Sequence, residues 1–269
     1  MLGILSFAGG RQERAAFVAG SYNVYLSEKS PGCCCGAGLP VPRLSQILDA
    51  LEAFYGAQAP GWPTDPELFL VWWQCGYPPS EERCSKGWEA LEREVGAAPD
   101  NVLSATPSRI ARALRAGGIV PELRAARLKG IARKIRDEYG GTLRAALGKF
   151  SLAESRATLK RFPGIGDPGA DRILLFAGIA PMAAVPSSCP HVLLRIASGR
   201  EPARYTAAYR EAQQILQAGV PDTPEARSRA YLLLQTHGRQ VCKRTKPKCG
   251  SCPVADACAF FAAKGRSRG

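Results

Sequence analysis

The spacing of apolar residues predicts a helical protein from Val41 onward. Apolar positions recur every three or four residues in nine segments, which is the period of an amphipathic helix. Glycine and proline separate nearly all of these segments, as expected for a series of short helices. The predicted helices are Leu44–Tyr55, Glu67–Trp73, Ser85–Val95, Pro107–Ala116, Arg124–Tyr139, Leu152–Arg161, Ala170–Phe176, Tyr205–Leu216 and Ala226–His237. We therefore expect an all-α protein.

Residues 1–40 have a different pattern and form an N-terminal extension. Apolar and polar residues alternate around Ala16–Leu26, which predicts a small β-hairpin that turns near Gly20. The sequence assigns no role to this extension.

A tight turn between two of the predicted helices is a candidate binding element. The helix before it begins with the capping-box pattern S-L-A-E, and the turn contains Gly164, Ile165 and Gly166. Asp167 is the expected N-cap of the next helix, with Pro168 at the first helical position. A turn of this kind can hold a nucleic-acid phosphate on backbone N–H groups, although glycine is also common in ordinary turns between helices.

Positive charge is concentrated in the second part of the chain. Residues 1–100 contain 7 Lys and Arg against 12 Asp and Glu, whereas residues 101–269 contain 29 against 11. Two dense basic runs, Arg124–Arg136 and Arg239–Lys248, lie in this second part. Such runs are often only solvated surfaces, but a net charge of +13 favours a polyanion such as nucleic acid as the partner.

Composition places the chain among intracellular globular proteins. Hydrophobic residues make up 46% of it, and no apolar run is long enough to span a membrane. The apolar start at Met1–Phe7 lacks the basic lead and the length of a signal peptide. We expect a monomer in the cytoplasm, associated with the nucleoid in a prokaryote.

Four of the ten cysteines form a dense motif near the C-terminus. They are spaced C-x6-C-x2-C-x5-C and are Cys242, Cys249, Cys252 and Cys258. Four thiolates in so short a stretch indicate a metal site. An iron–sulfur cluster fits the wide outer gaps better than zinc, which usually takes two CxxC pairs but remains an alternative. The consecutive run Cys33–Cys35 is poorly spaced for joint ligation, and the remaining cysteines are expected to be thiols.

Several motifs together resemble one family. The segments R-F-P-G-I-G-D-P-G-A, P-H-V-L-L-R-I and H-G-R-Q-V-C occur in this order and are followed by the cysteine motif. Joined in this way they resemble the endonuclease III family, the helix-hairpin-helix (HhH-GPD) DNA glycosylases that carry a [4Fe–4S] cluster. The resemblance covers roughly residues 41–260.

This resemblance implies a two-lobed fold and a DNA partner. Residues 66–180 would form a six-helix barrel with the hairpin, while residues 41–65 and 181–260 would form the cluster domain, followed by a basic tail at 261–269. Members of the family bind damaged duplex DNA between the two lobes and extrude a base from it, since a base must leave the stack before its glycosidic bond can be attacked.

The chain departs from the family at both of its usual catalytic positions. The position of the lysine that forms a Schiff base is occupied by Pro168, and the position of the catalytic aspartate by Cys189. No lysine occurs between Arg161 and Val241, and no acidic residue between Ile173 and Arg200. The sequence therefore argues against lysine-dependent AP-lyase chemistry.

Three nearby side chains are weak candidates for a displaced catalytic group. Asp167 or Asp171 could supply a carboxylate, and Cys189 could act as a nucleophile. Each also has a simpler interpretation: Asp167 as a helix cap, Asp171 as a surface residue of its helix, and Cys189 as a packed thiol.

Two further sets of residues are placed by the resemblance. Tyr77 lies near the position of the family's wedge, where an aromatic ring could stack in the gap left by an extruded base. Trp72 and Trp73 are expected to fill core, as Tyr77 also could. His237 and Arg239 are expected to pack around the cluster.

The leading hypothesis is an iron–sulfur protein that binds damaged or distorted duplex DNA, with ordinary glycosylase chemistry lost or altered. A second hypothesis is a monofunctional glycosylase with a displaced catalytic residue. A third is a redox-responsive regulator bound to DNA, with the cluster as its sensor.

Overall fold

The computed structural model describes residues 44–266 of the chain, with side chains described up to residue 263. This part is helical, without a β-strand among the described residues, so the predicted all-α fold is confirmed there. The predicted hairpin at Ala16–Leu26 and the run Cys33–Cys35 lie outside the described residues. No helix in residues 44–266 is long and apolar enough to cross a membrane.

Thirteen α-helices follow one another in the described part. They are α1 (Leu44–Tyr55), α2 (Pro66–Gln74), α3 (Glu81–Glu94), α4 (Pro99–Ser104), α5 (Pro107–Leu114), α6 (Pro121–Tyr139), α7 (Leu143–Leu147), α8 (Leu152–Lys160), α9 (Asp167–Phe176), α10 (His191–Ala197), α11 (Tyr205–Gly219), α12 (Pro224–Gln240) and α13 (Ala259–Arg266). Short 3-10 turns follow α5 and separate two of the motif cysteines.

All nine predicted helices occur, with ends that differ by a few residues. The four that the sequence pattern missed are α4, α7, α10 and α13, which have between five and eight residues. Helices of about two turns or fewer give too few repeats for a periodic pattern to be recognised. α13 extends through the first six residues of the segment 261–269.

Polar caps and prolines fix where several of these helices begin. Asp65 accepts hydrogen bonds from two backbone N–H groups at the start of α2, and Ser80 caps α3 in the same way. The capping box predicted at the start of α8 is confirmed, with Ser151 and Glu154 each bonding to the other's backbone N–H. Proline occupies the first turn of α2, α5 and α12, where its missing N–H has no partner to lose.

Buried apolar side chains form three clusters. Two lie mainly within residues 62–184, around the middle helices α2 to α9. The third joins α1 to α10, α11 and α12, although α1 precedes them by more than a hundred residues. Tyr231 of α12 belongs to the cluster around α2 and α9, so α12 contacts both groups of helices. The hairpin between α8 and α9 lies beside this shared helix.

Candidate nucleic-acid interface and cysteine cavity

The turn between α8 and α9 has the tight geometry that its glycines predict. Gly164 has φ +78°, in the left-handed region that other residues rarely adopt. The N–H of Ile165 donates to Phe162 O (3.2 Å), and the Ile165 side chain is buried, so this amide is occupied. Gly166 is the N-cap of α9 and has no side chain to satisfy the first amides of that helix. Asp167 is therefore the first helical residue and not the cap, which corrects the sequence-based assignment.

Two side chains of α2 hold the hairpin in place. Trp73 Nε1 donates to Gly164 O (3.2 Å), and Gln74 Nε2 donates to Pro163 O (2.7 Å). Trp72 is buried as expected. Trp73 is only partly buried and lines a pocket beside the turn, so its predicted role as core is correct only in part.

Tyr77 and Ile119 lie on two loops that are joined by backbone hydrogen bonds. Tyr77 N–H donates to Gly117 O (3.0 Å), and Ile119 N–H donates to Tyr77 O (3.2 Å). The two side chains are 41% and 60% exposed, respectively. The alternative interpretation of Tyr77 as a core residue is therefore wrong. Ile119 is a second exposed apolar side chain at the candidate DNA interface, and the sequence analysis did not identify it. The sequence feature that could have identified Ile119 is the apolar pair Ile119–Val120, which follows two glycines.

Arg124 shapes this pair of loops from inside the protein. It is 1% exposed, and its guanidinium donates to four backbone carbonyl oxygens. The acceptors are Cys75 O (2.6 Å), Leu114 O (2.7 Å), Gly118 O (2.9 Å) and Ile119 O (3.0 Å). Arg124 begins one of the basic runs that favoured a polyanion, but its charge faces the interior and cannot contact a ligand at the surface.

A pocket opens beside the hairpin turn, at the position of Pro168. It has a volume of about 130 Å³. Its walls are Phe69, Trp73, Gly164, Ile165, Pro168, Gly169, Arg172, Ser187 and Tyr231. Three of these nine residues are aromatic, and one carries a guanidinium.

An ion-pair network centred on Glu81 includes Arg172 of the pocket wall. Glu81 accepts hydrogen bonds from Arg172 Nη2 (2.9 Å) and Gln235 Nε2 (2.8 Å), and it pairs with Arg239 Nη2 (2.7 Å). Arg239 was expected to pack around the cysteines, and this expectation is wrong, because its guanidinium binds Glu81 instead. Sequence reasoning also missed Glu81, which resembles any solvated acidic residue at the start of a helix.

Cys189 is a packed thiol. It is 3% exposed, and a Cβ added at Gly238 would lie 2.6 Å from its Cβ. Burial raises the pKa of the Cys189 thiol to about 11, so the nucleophilic thiolate is scarce at neutral pH. The geometry favours the packed-thiol interpretation over a catalytic one.

The two candidate aspartates also have structural partners. Asp171 is fully buried, and its carboxylate meets Arg156 Nε (2.8 Å), Tyr209 Oη (3.1 Å) and Gln213 Nε2 (2.9 Å). Its expected place on the helix surface is therefore wrong, because that side of α9 faces α11. Asp167 is exposed and pairs with Lys160 Nζ (2.7 Å), whose hydrogen bond lowers the pKa of the carboxyl. Neither aspartate lines the pocket at Pro168.

The four motif cysteines line one cavity between the end of α12 and the start of α13. Val241, Val254, Phe260 and Phe261 are among the apolar walls of this cavity. Within the described residues, no three His, Cys, Asp or Glu side chains are placed to hold a single metal ion. The four thiols therefore share one cavity.

Buried polar side chains surround this cavity. His237 Nδ1 is 2.9 Å from Tyr55 Oη, and its Nε2 is 3.7 Å from Cys252 Sγ. Burial lowers the pKa of His237 to about 4, so the ring is neutral and carries one N–H. If Tyr55 donates to Nδ1, that N–H points at the Cys252 sulfur. Arg195 lies 3.8 Å from Cys242 Sγ and holds the following loop by donating to Lys243 O (2.9 Å).

Comparison with known proteins agrees with the hairpin and the helical order. No family model matches the chain. A thymine-DNA glycosylase of Aeropyrum pernix is 27% identical over 168 residues, covering 61% of this chain and 69% of that protein. A structure of a non-covalent endonuclease III–DNA complex superposes with a TM-score of 0.63 at 19% identity, over 83% of this chain and 97% of that one. A thermostable thymine-DNA glycosylase superposes with a TM-score of 0.61 at 19% identity, over 81% of this chain and 96% of that one. The resemblance to the endonuclease III-like helix-hairpin-helix DNA glycosylases is thus confirmed, and the chain has their fold.

Proposed function

We propose that this protein binds damaged or distorted duplex DNA and receives an extruded base in the pocket at Pro168. The carrying observation is that α2 connects three features expected of such a protein. The open amides at Gly166, the pocket and the exposed side chain of Tyr77 are linked through α2, which contacts the hairpin through Trp73 and ends just before Tyr77. Amides at a helix start suit a phosphate, and an exposed ring suits the gap left in a base stack.

Strand cleavage through a Schiff base is not part of the proposal. Pro168 occupies the pocket wall where the resembling family has its lysine, and proline offers no amine. Cys189 is a buried thiol where that family has its aspartate. Ordinary glycosylase chemistry is therefore lost or altered in this chain.

The proposal includes a [4Fe–4S] cluster bound by Cys242, Cys249, Cys252 and Cys258. Four thiols around one apolar cavity form the donor set that such a cluster requires. When bound, it would join the segment after α12 to the start of α13 and supply a one-electron redox centre. Neutral His237 and buried Arg195 would orient and stabilise the sulfurs of Cys252 and Cys242.

Gly166→Leu is the test of the DNA contact at the hairpin. A Cβ at Gly166 meets nothing closer than Pro168 Cδ at 3.8 Å, so the fold should tolerate a side chain there. A Cβ at Gly164 would lie 3.2 Å from Trp73 Nε1 at a positive φ, so a change at that position would also disturb the protein. Gly130→Leu is the matched control, because nothing lies within 4 Å of its added Cβ.

Fluorescence anisotropy with a duplex that carries an abasic-site analogue gives the readout. We expect Gly166→Leu to weaken binding by about tenfold, the loss of one or two charge-assisted hydrogen bonds to phosphate. Gly130→Leu should bind as the unaltered protein does. Equal affinity of the two variants, with both folded, would refute the hairpin contact.

A second candidate function is monofunctional base excision with Glu81 as the acidic group. The observation in its favour is that Glu81 is a partly buried carboxylate bonded to Arg172, a wall residue of the pocket. Its oxygens already accept hydrogen bonds from two guanidinium groups and an amide, which leaves few lone pairs to take a proton from water. Single-turnover base release from duplexes with uracil, hypoxanthine or oxidised bases, followed by Glu81→Gln, distinguishes the two functions.

A further inference from the structure

Val120 has a backbone conformation that its own side chain disfavours. It is the N-cap of α6, with φ +50° and ψ +49°, in the left-handed region. A β-branched residue is a steric outlier there, and a residue that precedes a proline, as Val120 precedes Pro121, favours the extended region. Glycine or asparagine adopts the left-handed region with less strain. Folding alone therefore does not account for a valine at this position.

The surrounding loop holds Val120 in this conformation. Arg124 donates to the carbonyl oxygens of Gly118 (2.9 Å) and Ile119 (3.0 Å). The N–H of Ile119 donates to Tyr77 O (3.2 Å), and a Cβ added at Gly118 would overlap with the same oxygen. The loop thus lies directly against the loop of Tyr77 and cannot shift to relieve the strain. Residues held in sparsely populated conformations in this way cluster at functional sites.

The side chain of Val120 is accessible to a ligand. It is 41% exposed, and the preceding Ile119 is 60% exposed. Within residues 44–263, Val120 belongs to none of the three buried apolar clusters and is not among the side chains that pack against them. A side chain that strains the backbone and lies outside the core is explained by a contact with another molecule.

Positive charge near the two loops favours DNA as that molecule. Arg83 donates to Pro78 O (3.3 Å), directly after Tyr77. Arg115 lies at the other loop, where its carbonyl oxygen accepts from the N–H of Gly118 (3.2 Å). Both arginines are exposed, and cations of this kind attract the phosphate backbone. Exposed apolar side chains next to cations are typical of proteins that insert between DNA base steps.

We propose that the side chain of Val120 contacts the bases at the distorted step of bound DNA, the step that Tyr77 enters, and that valine serves this contact although it destabilises the folded protein. The inference rests on the proposed function, because it assumes that distorted DNA covers the loops of Tyr77 and Val120. Relief of the strain at position 120 should therefore raise stability and weaken recognition together.

Val120→Asn in the full chain, purified anaerobically, tests this opposition. Asparagine adopts the left-handed region more readily than valine, so Tm from circular dichroism should rise by about 2–4 °C. Loss of the apolar contact should reduce the preference for a tetrahydrofuran abasic duplex over undamaged DNA by about threefold to tenfold, measured by fluorescence anisotropy. A residue with only a structural role would lower Tm when it is replaced.

Two further variants are the controls. Val120→Ile keeps a β-branched, apolar side chain, so both Tm and the preference for the abasic duplex should stay close to those of the unaltered protein. Leu152→Asn removes an apolar side chain of similar exposure (49%) at the start of α8, and it should leave the preference unchanged.

The possible results separate failure of the inference from failure of the proposed function. A preference that Val120→Asn reduces no more than Leu152→Asn does would show that the Val120 side chain does not contact DNA. A fall in Tm for Val120→Asn would show that valine stabilises the loop, and the inference from strain would be overturned. Equal affinity of the unaltered protein for abasic and undamaged DNA would overturn the proposed function, and the inference with it.

Discussion

Arg124→Met is expected to destabilise the protein, because the buried guanidinium of Arg124 is the hydrogen-bond donor for carbonyl oxygens at the ends of α2 and α5 and in the loop before α6. The hydrogen bonds to two of these acceptors, Cys75 O and Leu114 O, are buried. Methionine has similar length and fills the space, but it donates no hydrogen bond.

The expected change in the free energy of unfolding depends on the two buried carbonyl groups and on the removed charge. Each buried acceptor that loses its partner costs about 1–3 kcal/mol, or about 4 kcal/mol for the pair. Removing a guanidinium from the interior offsets part of this cost, since burial lowers the pKa of Arg124 and so disfavours its charged form. A net loss of about 3 kcal/mol in the free energy of unfolding corresponds to a fall in Tm of about 6–12 °C for a domain of this size.

Thermal unfolding followed by far-ultraviolet circular dichroism, under anaerobic conditions, measures this change. Arg133→Met is the control, since Arg133 is an exposed residue of the same helix and its removal should change stability by about 0.5 kcal/mol or less. Equal Tm values for the two variants would show that other groups satisfy the carbonyls, and the assignment of Arg124 as an internal anchor would then fail.

Three further changes test the site. Pro168→Lys would place an amine in the pocket wall, so borohydride should trap a covalent complex with abasic DNA that the exposed control Ser108→Lys does not form. Tyr55→Phe removes the hydroxyl that orients His237, so the visible absorption of the cluster should decay several-fold faster in air than in the unaltered protein. Tyr77→Ala should reduce preference for an abasic duplex over undamaged DNA by about fivefold to tenfold, the loss of one stacked ring, and an unchanged preference would remove the wedge assignment.

The sequence could predict the features that depend on local order. The long helices, the capping box at Ser151 and the turn through Gly164 all follow from residues within one or two helical turns of one another. The cavity lined by the four motif cysteines is also a local feature, because these cysteines lie within seventeen residues of the sequence.

Burial of charged side chains could not be predicted in this way. Arg124 lies in a basic run, and Asp171 lies near the polar start of a helix. From their neighbours in the sequence, both would be expected at the protein surface. Their partners come from distant positions, such as Cys75 for Arg124 and Tyr209 for Asp171. A pattern along one segment contains no information about which of its faces another segment will cover.

Cys189 and Glu81 depend on distant parts of the chain in the same way. Burial is the main cause of the raised pKa of the Cys189 thiol, and the residues that bury it include Gly238 and Leu234 of α12. Glu81 binds Arg172 of α9 and Arg239 of α12, which lie about ninety residues or more further along the chain. Neither the burial of a thiol nor the partners of an acidic residue at a helix start can be predicted from its own segment, because both are set by the segments that pack against it.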